Sequence, residues 1–227
     1  MSKWIQLQRK PDIPLYCLFY RESGRILIIY TEMGTLTIIL ITVLASVAAL
    51  YIWPGLLSWG ILRPIRLIRK RRWYELLTSG FLHAGLGHLF VNMFVLLFFG
   101  LELERAIGSL HLAILYLSGL LVSSIPSVIK FADDPQYATL GASGAVGSVL
   151  FAFIFLFPTE RLYLLLLPIP IPAWLFAIGY LAYSIYESSG QRDKINHEAH
   201  LAGALWGIVY MILFVPGSLT LLQSLFS

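Results

Sequence analysis

"TLGASGAVGSV", Thr139 to Val149, decides how the chain is read. It lies within Pro135–Thr159, a stretch without Asp, Glu, Lys or Arg, and so belongs at bilayer depth. Ser143 stands there between Ala142 and Gly144, among side chains too small to cover its hydroxyl. Small residues let transmembrane helices touch, and a lone serine in such a face serves packing unless a proton acceptor meets it. Which residue could be that acceptor depends on how the rest of the chain crosses the membrane.

The composition requires a membrane. Of 227 residues, 58% are hydrophobic and 12% charged, and the mean hydropathy is +0.79. A soluble domain carries about a quarter charged residues, and this much apolar surface would leave too little polar cover for a water-facing exterior. Charge-free windows run over Met33–Leu62, Leu76–Leu101, Ala106–Ile129, Pro135–Thr159, Leu162–Tyr186 and Ala199–Ser227. Each can hold the ~20-residue helix that crosses a hydrocarbon core. The fifth contains Pro168, Pro170 and Pro172, which break helical bonding, so Leu162–Pro172 reads as an interfacial connection with a short helix from about Ala173. The expectation is an all-α membrane protein of six transmembrane helices, with an N-terminal cytoplasmic or interfacial segment (1–32), a membrane domain (33–217) and a short tail (218–227).

Residues 1–32 alternate charges with short apolar runs and lack an apolar core with a cleavage site, so no removable signal peptide is expected. Their acidic residues argue against a mitochondrial transit peptide, which makes a bacterial plasma membrane the expected location. The one cysteine, Cys17, lies outside every span and is a poor nucleophile candidate. The net charge of +4 is assigned to flanks meeting anionic lipid, not to nucleic acid. Much of it is one run, "RPIRLIRKRRW" (63–73), which follows the aromatic "LYIWPGLLSWGIL" (50–62) and suits a loop in the headgroup region. That run tips the positive-inside count narrowly the wrong way for cytoplasmic termini, so loop charge does not fix the orientation.

The candidate acceptors are His83, His88, His111, His197 and His200. A buried ionisable group in a membrane is a functional hypothesis by default. Spans of equal parity run in the same direction, so the starts of the second, fourth and sixth lie at one membrane face. Those starts carry His83 and His88, Ser143, and His197 and His200. "AHLAGALWG" (199–207) places His200, Gly203 and Gly207 on one helix face, and the fourth span offers Ser143 with Gly147, and Gly144 with Ser148. Packing these small-residue faces would bring Ser143 within hydrogen-bond reach of His200, a nucleophile with its general base. "HLFVN" (88–92) supplies His88 and Asn92 at i, i+4, able with the Ser143 backbone N–H to hold an oxyanion. Glu198 is badly placed to orient His200, so the reading is a Ser–His dyad and not a triad.

"HLFVN" (88–92), "GASG" (141–144) and "AHLAGALWG" (199–207), in this order along the chain, resemble the signatures of the rhomboid family of intramembrane serine proteases. "GLELERAIGS" (100–109) adds to the likeness, placing Glu104 and Gly108 at a loop bracing the second and third spans. The resemblance implies a six-helix rhomboid-like core with a membrane-embedded loop between helices 1 and 2, and hydrolysis of peptide bonds in or beside the transmembrane segments of substrate proteins. It implies Ser143 as nucleophile, His200 as base and acid, His88, Asn92 and Gly141 as the oxyanion or substrate-binding set, and support from Gly203, Gly207, Gly147 and Glu104. No cofactor or metal is implied. The partners are membrane-protein substrates and the bilayer.

Two positions depart from the family pattern. Trp73-Tyr74 stands where Trp-Arg is frequent, so the loop is anchored differently. Gly147 stands where a larger residue often packs on the catalytic imidazole. "HEAH" (197–200) is one residue short of the zinc-binding H-E-x-x-H spacing. His197 and Glu198 are instead read as solvating the helix start and facing substrate or loop, His83 as structural or a neighbour of the active site, and His111 as structural. The rival functions are an inactive rhomboid-like binder of transmembrane helices, whose relatives typically lack the serine or the histidine, and a transporter, whose broken helices come in matching pairs.

Overall fold

The computed structural model describes residues 19–22, 25–28, 33–164, 167–190 and 196–220. Within the N-terminal segment, β1 (Phe19–Glu22) and β2 (Arg25–Ile28) form an antiparallel hairpin; Cys17 lies outside the described residues.

The first long helix, α1 (Met33–Val47), runs on through a wider π turn at Ala48–Ile52. Its burial pattern is that of a membrane helix. Thr35, Thr42 and Ser46 are fully buried, whereas Leu40 and Leu44 are about 60% exposed (59% and 61%). Lipid solvates large aliphatic side chains as well as a protein core does, so small and polar residues take the helix–helix contacts. Three short helices follow, α2 (Pro54–Gly60), α3 (Pro64–Lys70) and α4 (Glu75–Thr78), the last continued by a 3-10 turn at Ser79–Phe81. α2 and α3 each open on a proline, whose missing N–H is free at that position.

The next helix, α5 (Leu86–Lys130), is 45 residues long and broken at Gly108 (φ 82°, ψ 157°). A straight helix would separate residues 88 and 124 by about 54 Å. His88 and Ser124 line the same cavity, so the two arms fold back on each other at this glycine. Only a residue without Cβ enters that backbone region readily. Then come α6 (Ser143–Leu156), an antiparallel hairpin of β3 (Arg161–Leu164) and β4 (Leu167–Pro172), α7 (Ala173–Gly190) and α8 (His197–Phe214). α1, α5 and α8 are long and apolar enough to cross a membrane, while α6 and Ala173–Tyr186 are shorter apolar helices.

Several boundaries differ from those expected. The second span begins at Leu86 and not near Leu76, because residues 75–81 are spent on short turns. The fourth begins at Ser143 and not at Pro135, since the chain first pairs with the loop after α1. Proline correctly ended helix formation in Leu162–Pro172, but the segment pairs as a hairpin, and the helix from Ala173 has 18 residues. Within the expected tail, the Ser218 hydroxyl donates to the Met211 carbonyl at 2.7 Å, and 221–227 lie outside the described residues.

α6 is the centre of the bundle. Every residue in it except Ser143 and Phe155 is buried. At 14 residues it is about 21 Å long, short of a ~30 Å hydrocarbon core.

Glu104 corrects a second expectation. It sits within the first arm of α5, not in a loop, and braces α1 as well as the start of the second arm at Ser109. Its two carboxylate oxygens accept from the Gly34 and Thr35 backbone amides at 2.8 and 2.9 Å, with the Ser109 hydroxyl also donating. The carboxylate thus caps the start of α1 from a neighbouring helix, where free N–H groups and the helix dipole favour negative charge. Glu104→Gln would set an NH₂ against one of those amides and leave a donor unsatisfied at a buried site. The expected cost is about 2–4 kcal/mol, read as a lowered thermal unfolding midpoint in detergent.

Candidate active site

Ser143 is the first residue of α6 and His200 lies in the first turn of α8. Their Oγ and Nε2 atoms are 2.7 Å apart. Two tight crossings hold the helices at this distance. A Cβ on Gly203 would overlap the Gly144 carbonyl, and one on Gly207 the Ser148 carbonyl. Ser148 also donates to the Gly203 carbonyl at 2.9 Å. On its other side α6 meets the second arm of α5, where Gly144 lies against Ser123 and Gly119 against Ser148. Gly147 is not a point of closest approach: a Cβ there would sit 3.8 Å from Ala204 N and from the His200 carbonyl. The closest approach is at Gly144 and Ser148, one strip round from Ser143 and Gly147.

The segment before Ser143 is fixed by the loop between α1 and α5. Leu62 and Thr139 exchange backbone hydrogen bonds at 3.1 and 3.0 Å, and Gly141 N–H donates to the Ser79 carbonyl at 2.9 Å. Ala142 N–H donates to His83 Nε2 at 3.4 Å. That bond makes Nε2 the acceptor and leaves the proton on Nδ1, which lies 3.0 Å from Ser46 Oγ; the Ser46 hydroxyl in turn donates to the Phe81 carbonyl. His83 is fully buried. Its role was only partly legible, because nothing in the sequence pairs it with Ser46.

A cavity of about 390 Å³ opens beside the pair, lined among others by His88, Asn92, Gly141, Ser143 and His200. Helices whose starts are distant in sequence do meet at one end of the bundle, as parity requires. Gly141 has φ 120°, and a Cβ on it would come within 2.6 Å of the His88 ring, so a glycine is needed on both counts. Asn92 gives one amide N–H to the His88 carbonyl at 2.9 Å. An Asn amide has two such hydrogens, so one remains for the cavity it lines. The first N–H groups of α6 have no partner within that helix and carry the positive end of its dipole. The arrangement can accept developing negative charge next to a hydroxyl paired with an imidazole.

A polar brace that the sequence did not announce holds the start of α8. Asn196 caps it, accepting from Ala199 N–H at 3.1 Å, and its amide reaches Ser127 at 2.6 Å and the Tyr137 hydroxyl at 3.1 Å. Glu198 pairs with Lys130. The His197 ring packs on Tyr183 and His200, and His111 meets the Tyr210 hydroxyl at 3.1 Å. The departure at Tyr74 is answered by an arginine from elsewhere. Arg66 donates to the Ser58 and Ile61 carbonyls at 3.1 and 2.9 Å and lies 3.1 Å from the Glu75 carboxylate. Tyr74 stacks on Trp59, with centroids 4.8 Å apart.

A family profile described as "Rhomboid domain" matches residues 70–217. The chain is 36% identical over 151 residues to "RHOMBOID-like protein 12, mitochondrial" of Arabidopsis thaliana, covering 60% of this chain and 45% of that one. It is 28% identical over 173 residues to "Rhomboid protein 1, mitochondrial" of Saccharomyces cerevisiae, covering 73% and 49%. To "Presenilin-associated rhomboid-like protein, mitochondrial" of Rattus norvegicus it is 34% identical over 142 residues, covering 60% and 37%. The chain thus spans less than half the length of these curated relatives. Their names overturn the expected bacterial plasma membrane, since each is a mitochondrial protein. Apolar spans and small-residue contacts answer to the bilayer interior, which is alike in both membranes, and so carry no address.

Proposed function

The chain belongs to the rhomboid family, and from that premise we propose that it is an intramembrane serine endopeptidase of a mitochondrial membrane, cleaving in or beside the transmembrane segments of other proteins. The observation that carries this reading is the 2.7 Å contact between Ser143 Oγ and His200 Nε2 at the wall of the cavity.

The Ser143 hydroxyl is a weak nucleophile until its proton leaves, and His200 Nε2 stands where it takes that proton as Oγ attacks the scissile carbonyl carbon. The carbonyl oxygen becomes an oxyanion held by the Ser143 backbone N–H, the free Asn92 N–H and the His88 imidazole. On collapse the C–N bond breaks, and His200 returns the proton to the leaving amine. A water entering the cavity then gives its proton to His200 and attacks the acyl-enzyme, and His200 protonates Ser143 as the new carboxyl group departs. Every proton passes through one imidazole, so a dyad suffices. A substrate helix has to unwind to present its carbonyl here, and the Gly141–Gly144 floor suits small residues at the cut.

A fluorophosphonate probe tests the reading, because it labels only a serine whose hydroxyl is activated. The expected result is labelling of the wild-type chain at Ser143, loss of label in Ser143→Ala, and strong reduction in His200→Ala. Substrate cleavage should also survive metal chelation. A wild-type chain that takes no label and cleaves nothing would be the inactive, helix-binding relative.

A further inference from the structure

The loop between α1 and α5 carries a charge pattern that catalysis does not use. Arg63, Arg66, Arg69, Lys70, Arg71 and Arg72 fall within 13 residues that hold one carboxylate, Glu75. Glu75 is fully buried and is taken by Arg66 and Arg72, at 3.1 and 3.8 Å. Arg69 meets Asp133 at 2.9 Å, both side chains well exposed. Lys70 and Arg71 are exposed, and neither meets a carboxylate among the described residues. Arg71 is also the one non-glycine residue at positive φ (54°) among the described residues. That left-handed residue is the C-cap that stops α3 and turns the chain, so Lys70 and Arg71 close the helix at its exposed end.

What surrounds these cations identifies the ligand. Ile52 is 78% exposed and Trp53 64%, with Trp73 at 59% and Trp59 and Ile68 at 47%. Aromatic and aliphatic groups this open are unfavourable in water but suit the interfacial layer, where tryptophan rings gather at headgroup level. Lysine and arginine lie along such a surface by burying their stems and extending their charge to the phosphates. We propose that α3 and the turn after it, Arg69 to Arg71, form a binding surface for the phosphodiester of an anionic phospholipid. The surface is tied to the active site through the Leu62–Thr139 backbone pair, which lies four residues ahead of Ser143. The family profile begins at residue 70, so much of the basic run lies outside the matched region.

The test uses the full chain in neutral detergent doped with phosphatidylglycerol or phosphatidylcholine of equal acyl length, with retained lipid counted by native mass spectrometry. Wild type is expected to retain phosphatidylglycerol preferentially. The double variant Lys70→Gln/Arg71→Gln, at exposed positions with no structural bonds to lose, should lower that preference about 30-fold, given the attraction of each cation to an anionic surface. Asp133→Asn releases Arg69 and should raise the preference. Equal retention of the two lipids by wild type, or an unchanged preference in the double variant, would overturn the proposal. So would displacement of the lipid by inorganic phosphate, which would mark a simple anion site, or by a soluble polyglutamate peptide, which would mark a site for acidic protein segments.

Discussion

Ser143→Ala is expected to reduce cleavage of a transmembrane substrate in detergent to background, a loss of about 10³-fold or more. His200→Ala should lose nearly as much, and the double variant no more than either alone. That non-additivity is the informative outcome. In the proposed mechanism the alcohol and the imidazole, 2.7 Å apart, act as one proton-transfer unit, so that once either is gone the other has nothing left to contribute. What would remain under this proposal is the binding and oxyanion stabilisation assigned to His88, Asn92 and the α6 N-terminus. If the single losses were modest and multiplied in the double variant, the two residues would be acting separately. Full activity in Ser143→Ala would place the nucleophile elsewhere. Initial rates at saturating substrate, with unfolding midpoints taken alongside, separate chemistry from misfolding.

How much of this could be read from the chain depends on the kind of signal. Ser143, His200, His88 and Asn92 were legible because helical spacing and span parity are geometric constraints that act across any length of sequence. Two glycines one turn apart announced a close crossing at α8, and the register of His200 with them fixed its direction. The partner face was harder: Ser143 with Gly147 and Gly144 with Ser148 are adjacent strips of one small-residue helix, and only three-dimensional packing chooses between them. Arg66 was illegible as the brace of its loop, since six basic residues looked alike and the choice follows from which one reaches Glu75. Asn196 escaped for the same reason, and His83 was read as structural without its partners, since each acts through groups in other segments. The β3–β4 pairing was hidden because prolines that forbid helix also weaken the usual strand signal. The compartment failed for a different cause: it was inferred from the charge pattern of residues 1–32, and neither that pattern nor the apolar spans carries the address of an organelle.

The tight crossing itself yields the second large effect. Gly203→Ala adds one methyl, but that methyl overlaps the Gly144 carbonyl, a backbone group that no rotamer change can move. The helices must part or slide, which removes the Ser148 bond to the Gly203 carbonyl and carries His200 with α8. A shift of about 1 Å at a reacting pair costs on the order of 10²-fold in rate. Overpacking adds a destabilisation of about 1–3 kcal/mol. Gly147→Ala is the matched control on the same interface, because its methyl would lie 3.8 Å from its nearest neighbours, at ordinary contact. It should keep activity within about threefold and leave the midpoint nearly unchanged or slightly raised, since its added methyl meets no clash and alanine favours the helix. If both variants lost activity equally, simple loss of glycine flexibility would be the cause. If Gly203→Ala alone fails, and fluorophosphonate labelling of Ser143 falls with it, the distance between two helix starts is what sets the reactivity of the serine.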